Sequence, residues 1–182
     1  MSQTGKLVIA PPNVRGNFWQ KTVIFITEDH ERGSIGLVLN KTTKMSITDF
    51  SEQHGVDSDV AGFIYVGGPV NVNALTVLHS SEWNCGNTMK INNTYSLSSS
   101  GDLLSKFAQG DMPKYWRMFA GLCAWAPDQL DHELNGTQGY DHKFSWLVSS
   151  ATNLNVFGLD GQAQWTASIE QSSLEFAQTI LA

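Results

Sequence analysis

The sequence predicts an α+β domain built on a mixed, mostly antiparallel sheet with peripheral helices. Two glycine-punctuated apolar segments carry that expectation: Thr22 to Lys41 (TVIFITEDHERGSIGLVLNK) and Ile64 to His79 (IYVGGPVNVNALTVLH). Each reads as strand, turn, strand, with glycines where an ordinary side chain would strain the backbone. The order of elements is the third observation. Strands come in runs and helices fall irregularly among them, which does not match a βαβ series.

Leu7 to Ala10 is a short apolar run stopped by Pro11 and Pro12, as at a sheet edge. Val14 to Gln20 reads as a turn or short helix presenting Phe18 and Trp19. Val23 to Ile26 is apolar at every position, which suits a strand covered on both faces. Asp29 to Gly33 is the turn and Ile35 to Leu39 the returning strand. Ser46 caps a helix that runs to about His54 and stops at Gly55, with Ile47 and Phe50 on its apolar face. Phe63 to Val66 is a strand ended by Gly67, Gly68 and Pro69, and Leu75 to Leu78 is another. Met89 to Ile91 and Tyr95 to Leu97 form a hairpin around Asn92-Asn93. Ser100 to Gln109 is a helix whose stripe is Leu103, Leu104, Phe107 and Ala108. Tyr115 to Trp125 is a central strand, and Pro127 opens a helix that turns Leu130 and Leu134 inward and ends at Gly136. Gln138 to Lys143 is loop, Phe144 to Val148 a strand, and Asn153 to Gly161 irregular. A terminal helix, Trp165 to Leu181, places Ile169, Ser173, Phe176, Ala177, Ile180 and Leu181 at helical spacing.

The 182 residues suit one domain, with a core at about 7–165 and the terminal helix at about 165–181. Charged residues are only 15%, and 11 basic against 17 acidic residues leave a net charge of −6. Only Arg15, Arg32 and Arg117 are arginines. Duplex affinity comes mainly from neutralising phosphates, so this balance argues against direct DNA binding. Cys85 and Cys123 form no metal-ligand spacing, and no metal or cofactor is expected. The apolar run near the N-terminus is too short for a signal peptide, and no run approaches the length of a membrane span. A cytoplasmic protein is the expectation.

Three blocks resemble the YqgE/AlgH family of bacterial proteins. The first holds Phe18, Thr22, Val23, Glu28, His30, Gly33, Gly36, Leu37 and Asn40; the second is Gly67-Gly68-Pro69-Val70 with Leu78-His79. The third is a Trp-x-x-x-Gln-Leu-x-x-Glu-Leu pattern at Trp125, Gln129, Leu130, Glu133 and Leu134. The chain departs from the family where Thr42 and Thr43 replace a proline position, where Trp125 is flanked by Ala124 and Ala126, and in its C-terminal ending. The resemblance implies a complex α+β fold whose mixed sheet curls toward a barrel, and a protein labelled a transcriptional regulator.

Each candidate site residue carries two readings. Asp29-His30-Glu31 could bind metal or move protons, but three consecutive turn residues do not converge, so His30 reads as a solvated hairpin tip. Gly67 and Gly68 could cradle an anion with their N–H groups, or simply turn the chain against a neighbouring strand. His79 precedes Ser80-Ser81, yet no Gly-x-Ser-x-Gly elbow exists, so a half-buried histidine with a backbone partner is the plainer reading. Cys85 lies in a polar loop; Cys123 lies in an apolar strand and reads as inert core. Asp128, Asp131 and His132 share a helical face that reads as solvated. Trp125 and Gln129 could line a groove for a partner or small ligand, or pack in the core, and Trp19, Trp83 and Trp116 could add exposed aromatic surface. No complete catalytic constellation is present. The expected function is therefore a non-catalytic binding or regulatory protein, a regulator acting through a protein partner. The alternative is a small-molecule-binding protein or a hydrolase-like enzyme using His30, His79 or Cys85.

Overall fold

Val23–Ile26 is fully buried at every position, and the reason is visible in the computed structural model, which describes residues 2–99, 101–136 and 145–181. The strand lies inside a sheet with side chains covered on both faces. The predicted loop Gln138 to Lys143, the start of the following strand at Phe144 and the helix start at Ser100 lie outside the described residues. The chain forms two compact units, one of Met1–Lys41 with Cys123–Ala182, the other of Thr42–Leu122.

In the first unit, β1 (Lys6–Ile9), β2 (Val23–His30) and β3 (Gly33–Val38) form an antiparallel meander. The strand Leu147–Ser150, β10 in chain order, pairs antiparallel with β1. The end of β9 (Trp116–Trp125) pairs antiparallel with β3 through Cys123, Ala124 and Trp125. One face buries Val8, Ile24, Ile26, Val38, Trp125 and Trp146, with Leu130 of a short helix, α3 (Gln129–Asn135), against it. The alternate residues Leu7, Ile9, Phe25 and Leu37 are equally buried. A bulge between Ile26 and Glu28 re-aims the end of β2. Strand β2 continues to His30, so the turn is shorter than the sequence suggests and holds only Glu31 and Arg32.

Two helical expectations need correction in this unit. Pro127 does not occupy the first turn of α3: Asp128 intervenes as N-cap with φ +62°, and its side chain makes no capping bond. The terminal helix, α4, begins earlier, at Gly161, and runs to Leu181. Its inward line is Gln164, Ser168 and Ser172, and the expected stripe is not the buried one. Phe176, Ile180 and Leu181 are exposed, as is Leu174. Small residues let the helix approach the strands closely; Ser172 Oγ donates to the Val148 carbonyl at 2.8 Å, and Trp165 Nε1 donates to the Ala10 carbonyl at 2.7 Å. The segment expected to be irregular holds one wide helical turn at Leu154–Gly158. Trp19 is not surface display: it stands edge-on to Trp146 at 5.6 Å.

In the second unit, β4 (Thr42–Ser46) pairs antiparallel with β5 (Phe63–Val66), and β5 runs parallel to β9. That parallel pair makes the strand pairing mixed. Strand β6 spans Val70–Ser80, well beyond the expected Leu75 to Leu78, because it resumes pairing with β9 on both sides of a bulge. It pairs antiparallel with β8 (Tyr95–Ser98), which forms the predicted hairpin with β7 (Thr88–Lys90). Helix α1 (Ile47–Gln53) starts as the sequence indicates: the Ser46 hydroxyl accepts from the Asp49 N–H at 3.0 Å. Helix α2 (Leu103–Ala108) buries Leu103 and Phe107. These pack with Ile47, Ile64, Val77 and Met118, and Trp83 and Trp116 pack against the same cluster instead of lying on the open surface. The architecture is α+β with a mostly antiparallel sheet.

Two glycines are dictated by close approach. Gly33 has φ +121°, and a β-carbon there would lie 2.3 Å from the Trp125 carbonyl oxygen. Gly121 has φ +79°, and its β-carbon would lie 2.5 Å from the Gly68 carbonyl oxygen. Gly33→Ala is expected to cost at least about 2 kcal/mol of unfolding free energy in urea. Gly62→Ala meets the same backbone demand, φ +121°, but its β-carbon would meet only Ile47 Cδ1 at 3.5 Å, an ordinary contact, and is expected to cost less, about 1 kcal/mol. Equal losses would contradict the close approach.

Candidate functional site

Strand register in the second unit joins two residues distant in sequence. Val77 of β6 and Thr88 of β7 both lie opposite Ser98 of β8. Residues two apart share a sheet face, so His79 falls on the Ser98 side. The imidazole is completely buried. Its Nδ1 meets the Ser80 carbonyl at 2.9 Å and its Nε2 meets Ser98 Oγ at 2.8 Å. A carbonyl only accepts, so Nδ1 carries the proton and Nε2 of the neutral ring accepts from Ser98. Ser98 Oγ lies 2.7 Å from Thr88 Oγ1, which lies 3.6 Å from Cys85 Sγ. Thr88 Oγ1 also accepts the Cys85 backbone N–H at 2.9 Å. Trp83 stands edge-on to the imidazole at 5.1 Å, its own Nε1 donating to Asp111 at 2.7 Å.

Burial holds the His79 pKa below the ordinary histidine value, against the opposing pull of the Ser80 carbonyl and the Glu82 charge. Burial alone would raise the Cys85 thiol. Hydrogen bonds from the Asn87 backbone and from the Ser98 and Thr88 hydroxyls outweigh it, and the thiol falls below its ordinary value despite Asp102. Cys123 is the opposite case: burial pushes it up to about 12.

In the first unit the polar centre is Glu133 of α3, which is buried. Its Oε2 accepts from Trp125 Nε1 at 2.9 Å and from Trp146 Nε1 at 2.8 Å. Its Oε1 accepts from Gln129 Nε2 at 2.8 Å. Gln129 Oε1 in turn accepts the Ala126 N–H at 2.9 Å, holding the start of α3. Trp146, fixed in this way, lines a groove of about 500 Å³ with Val148, Ser173, Phe176 and Thr179. Phe176 of the groove is 69% exposed, and Leu174, Ile180 and Leu181 of the same helix are exposed as well.

The predicted site residues therefore separate. His79 and Cys85 are brought together, through two hydroxyls. Trp125 and Gln129 are also brought together, on Glu133, but neither lines the groove; they hold the residue that holds Trp146. His30 is exposed on its hairpin, where its Nδ1 accepts the Arg32 N–H at 3.2 Å and its Nε2 lies 3.5 Å from Glu28. Its neighbour Asp29 serves structure, accepting from Ser34 Oγ and the Gln3 N–H at 2.6 Å each. Gly67 gives its N–H to the Ala120 carbonyl at 2.8 Å, and the Gly68 carbonyl faces Gly121, so this turn lets strands approach. Asp128 and Asp131 are exposed, and His132 Nδ1 meets the Asp128 carbonyl at 2.7 Å. Among the described residues no group of three His, Cys, Asp or Glu side chains is placed to hold a metal ion. No described helix is long and apolar enough to cross a membrane. Sequence reasoning misses Glu133 as the hub and misses Ser98 and Thr88 entirely. The Trp-x-x-x-Gln-x-x-x-Glu spacing is the available signal for the first.

Fold and site define an α+β protein whose polar side chains build buried networks and whose last helix shows an apolar face. Residues 7–177 match the AlgH-like family (DUF179), and the chain belongs to that family. A UPF0301 protein of Shewanella denitrificans is 28% identical over 176 residues, covering 94% of this chain and 92% of the relative. A UPF0301 protein of Gluconobacter oxydans is 31% identical over 167 residues, covering 89% and 86%. The solution structure of the AlgH protein from Pseudomonas aeruginosa superposes with a TM-score of 0.75 at 24% identity, over 93% of this chain and 88% of that one. That likeness speaks to the fold.

Glu133→Ala leaves two indoles and an amide without their acceptor and is expected to cost about 3 kcal/mol, with loss of near-ultraviolet tryptophan dichroism. Glu133→Gln keeps one accepting oxygen and should cost less. Equal stability of the alanine variant and the parent would contradict the hub.

His79 gives a pH test. Its folded pKa is depressed, so the stability from keeping it neutral is complete above the unfolded value of about 6.5 and is lost as pH falls toward the folded value. Between pH 7 and 5 the unfolding free energy should fall by up to ~1.4 kcal/mol per pH unit on account of this group, and His79→Gln should flatten that slope. An unchanged slope would contradict a buried neutral imidazole.

Proposed function

We propose that this AlgH-like protein is a non-catalytic cytoplasmic binding protein that regulates through a protein partner, engaged on the outer face of α4 and the adjoining groove. The observation that carries the reading is the reversed helix. Small and polar residues point inward, and Leu174, Phe176, Ile180 and Leu181 are left exposed. Exposed apolar side chains grouped beside a groove are typical of interaction surfaces. Glu170 and Glu175 are the only charged side chains in Gly161–Leu181, and the chain carries a net charge of −6. A second copy of this chain would meet like charge. The fitting occupant is a partner segment with apolar anchors flanked by lysine or arginine. Direct duplex recognition finds little support: of three arginines, Arg117 is buried, its guanidinium 4.7 Å from the Tyr65 ring.

A photo-crosslinking residue at Ala177 tests this, with Asp57, also exposed, as the control position. The expected result is a discrete protein adduct from position 177 whose crosslinked peptide carries apolar anchors beside basic residues. Phe176→Glu should weaken its capture at least ~10-fold. An adduct no stronger than at position 57, or a salt-sensitive complex with duplex DNA in its place, would overturn the reading.

A further inference from the structure

We propose that Cys85 is a peroxide-reactive thiol, served by a proton path through Thr88 and Ser98 to the buried imidazole of His79. Every participant lies in Thr42–Leu122, whereas α4 belongs to the other unit.

Three observations carry it. Cys85 is only partly buried, at the margin of the Leu103 and Phe107 cluster, in contrast to Cys123, which is buried. A base is present: Nε2 of His79 is the lone-pair nitrogen of a neutral ring whose other nitrogen is held by Ser80. The path is continuous, with steps of 3.6 Å from sulfur to Thr88, 2.7 Å to Ser98 and 2.8 Å to Nε2. The donor directions agree along it. Each hydroxyl can both donate and accept, so the line runs either way: with the thiol protonated it passes from Sγ–H to Thr88, Thr88 O–H to Ser98 and Ser98 O–H to Nε2, and with the thiolate it reverses, Thr88 O–H donating to Sγ. The charged groups facing the pair are Glu82 toward His79, and Asp102 and Lys106 toward Cys85.

The chemistry balances. The thiol proton enters the path and one proton arrives at Nε2, giving thiolate and imidazolium. The thiolate sulfur attacks the terminal oxygen of a hydroperoxide; the S–O bond forms and the O–O bond breaks. Sulfur is oxidised by two electrons to the sulfenic acid, and the peroxide is reduced. The departing alkoxide or hydroxide takes the proton back from the imidazolium, leaving an alcohol or water. Thr88, Ser98 and His79 are positioning and proton-carrying residues; only Cys85 contacts the peroxide. One oxidation per chain makes this a modification site, with no turnover implied.

The test uses the full chain, hydrogen peroxide as probe and a sulfenic-acid trap read by mass spectrometry of the Cys85 and Cys123 peptides. At pH 7 Cys85 should react at least ~10-fold faster than an unstructured peptide spanning Trp83 to Asn87, with Cys123 unlabelled. The midpoint of its pH–rate profile should fall below that of the peptide. Thr88→Val and Ser98→Ala should each slow Cys85 about 10-fold and return the midpoint toward the peptide's, with circular dichroism unchanged. A parent rate and midpoint equal to the peptide's would overturn the proposal, and so would folded variants that match the parent. Should both variants fail to fold, the parent profile against the peptide decides alone. None of these outcomes bears on crosslinking from α4, so the two readings fail separately.

Discussion

Both units rest on how closely backbone approaches β9. In the first unit Gly33 sits where any β-carbon would meet the Trp125 carbonyl, and in the second Gly121 of β9 sits against the Gly68 carbonyl. At Gly33 close approach lets β3 pair with the end of β9, and at Gly121 it lets the backbone of the β6 bulge lie against β9. Trp125, at the end of β9, is thereby delivered to Glu133, and His79 is delivered to its place opposite Trp116. Glycine is needed here because both the positive φ and the missing side chain are required at once.

The two units put this constraint to different uses. In the first, a buried acceptor gathers two indoles and an amide, and one of those indoles belongs to a groove wall. Such a network is worth retaining only when each member is satisfied, which is why Gln129 serves Glu133 with its amide nitrogen and Ala126 with its oxygen. In the second, a line of neutral hydroxyls does what a direct contact does elsewhere: it lets a buried imidazole act on a thiol beyond its reach. The low charge content of the chain suits both, since serine, threonine and glutamine build these networks without burying ion pairs.

Much of the fold is readable from residue order where a local rule decides the outcome. The unbroken Val23–Ile26 run announces burial on both faces, Ser46 announces a cap, and Asn92-Asn93 announces a hairpin. The α4 face is different, because helical spacing finds the apolar stripe without saying which side faces the sheet; close packing selects Ser168 and Ser172 instead. Asp128 in a left-handed conformation displaces Pro127 from the first turn, and no composition signal marks such a residue. The thiol path is invisible for another reason. Thr88, Ser98 and His79 meet only through the register of β6, β7 and β8, which sequence does not specify.

The binding role of α4 is tested most directly by an amide and indole correlation spectrum of the intact chain, titrated with a peptide bearing leucine anchors flanked by lysines. Six tryptophans supply indole signals, and two are diagnostic: Trp146, bonded to Glu133 at the groove, and Trp83, bonded to Asp111 beside the thiol path. With α4 as the docking face, the Trp146 indole and the amides of the last turns of α4 shift together while Trp83 stays fixed. Shifts centred on Trp83, or none at Trp146 and α4, would contradict that role.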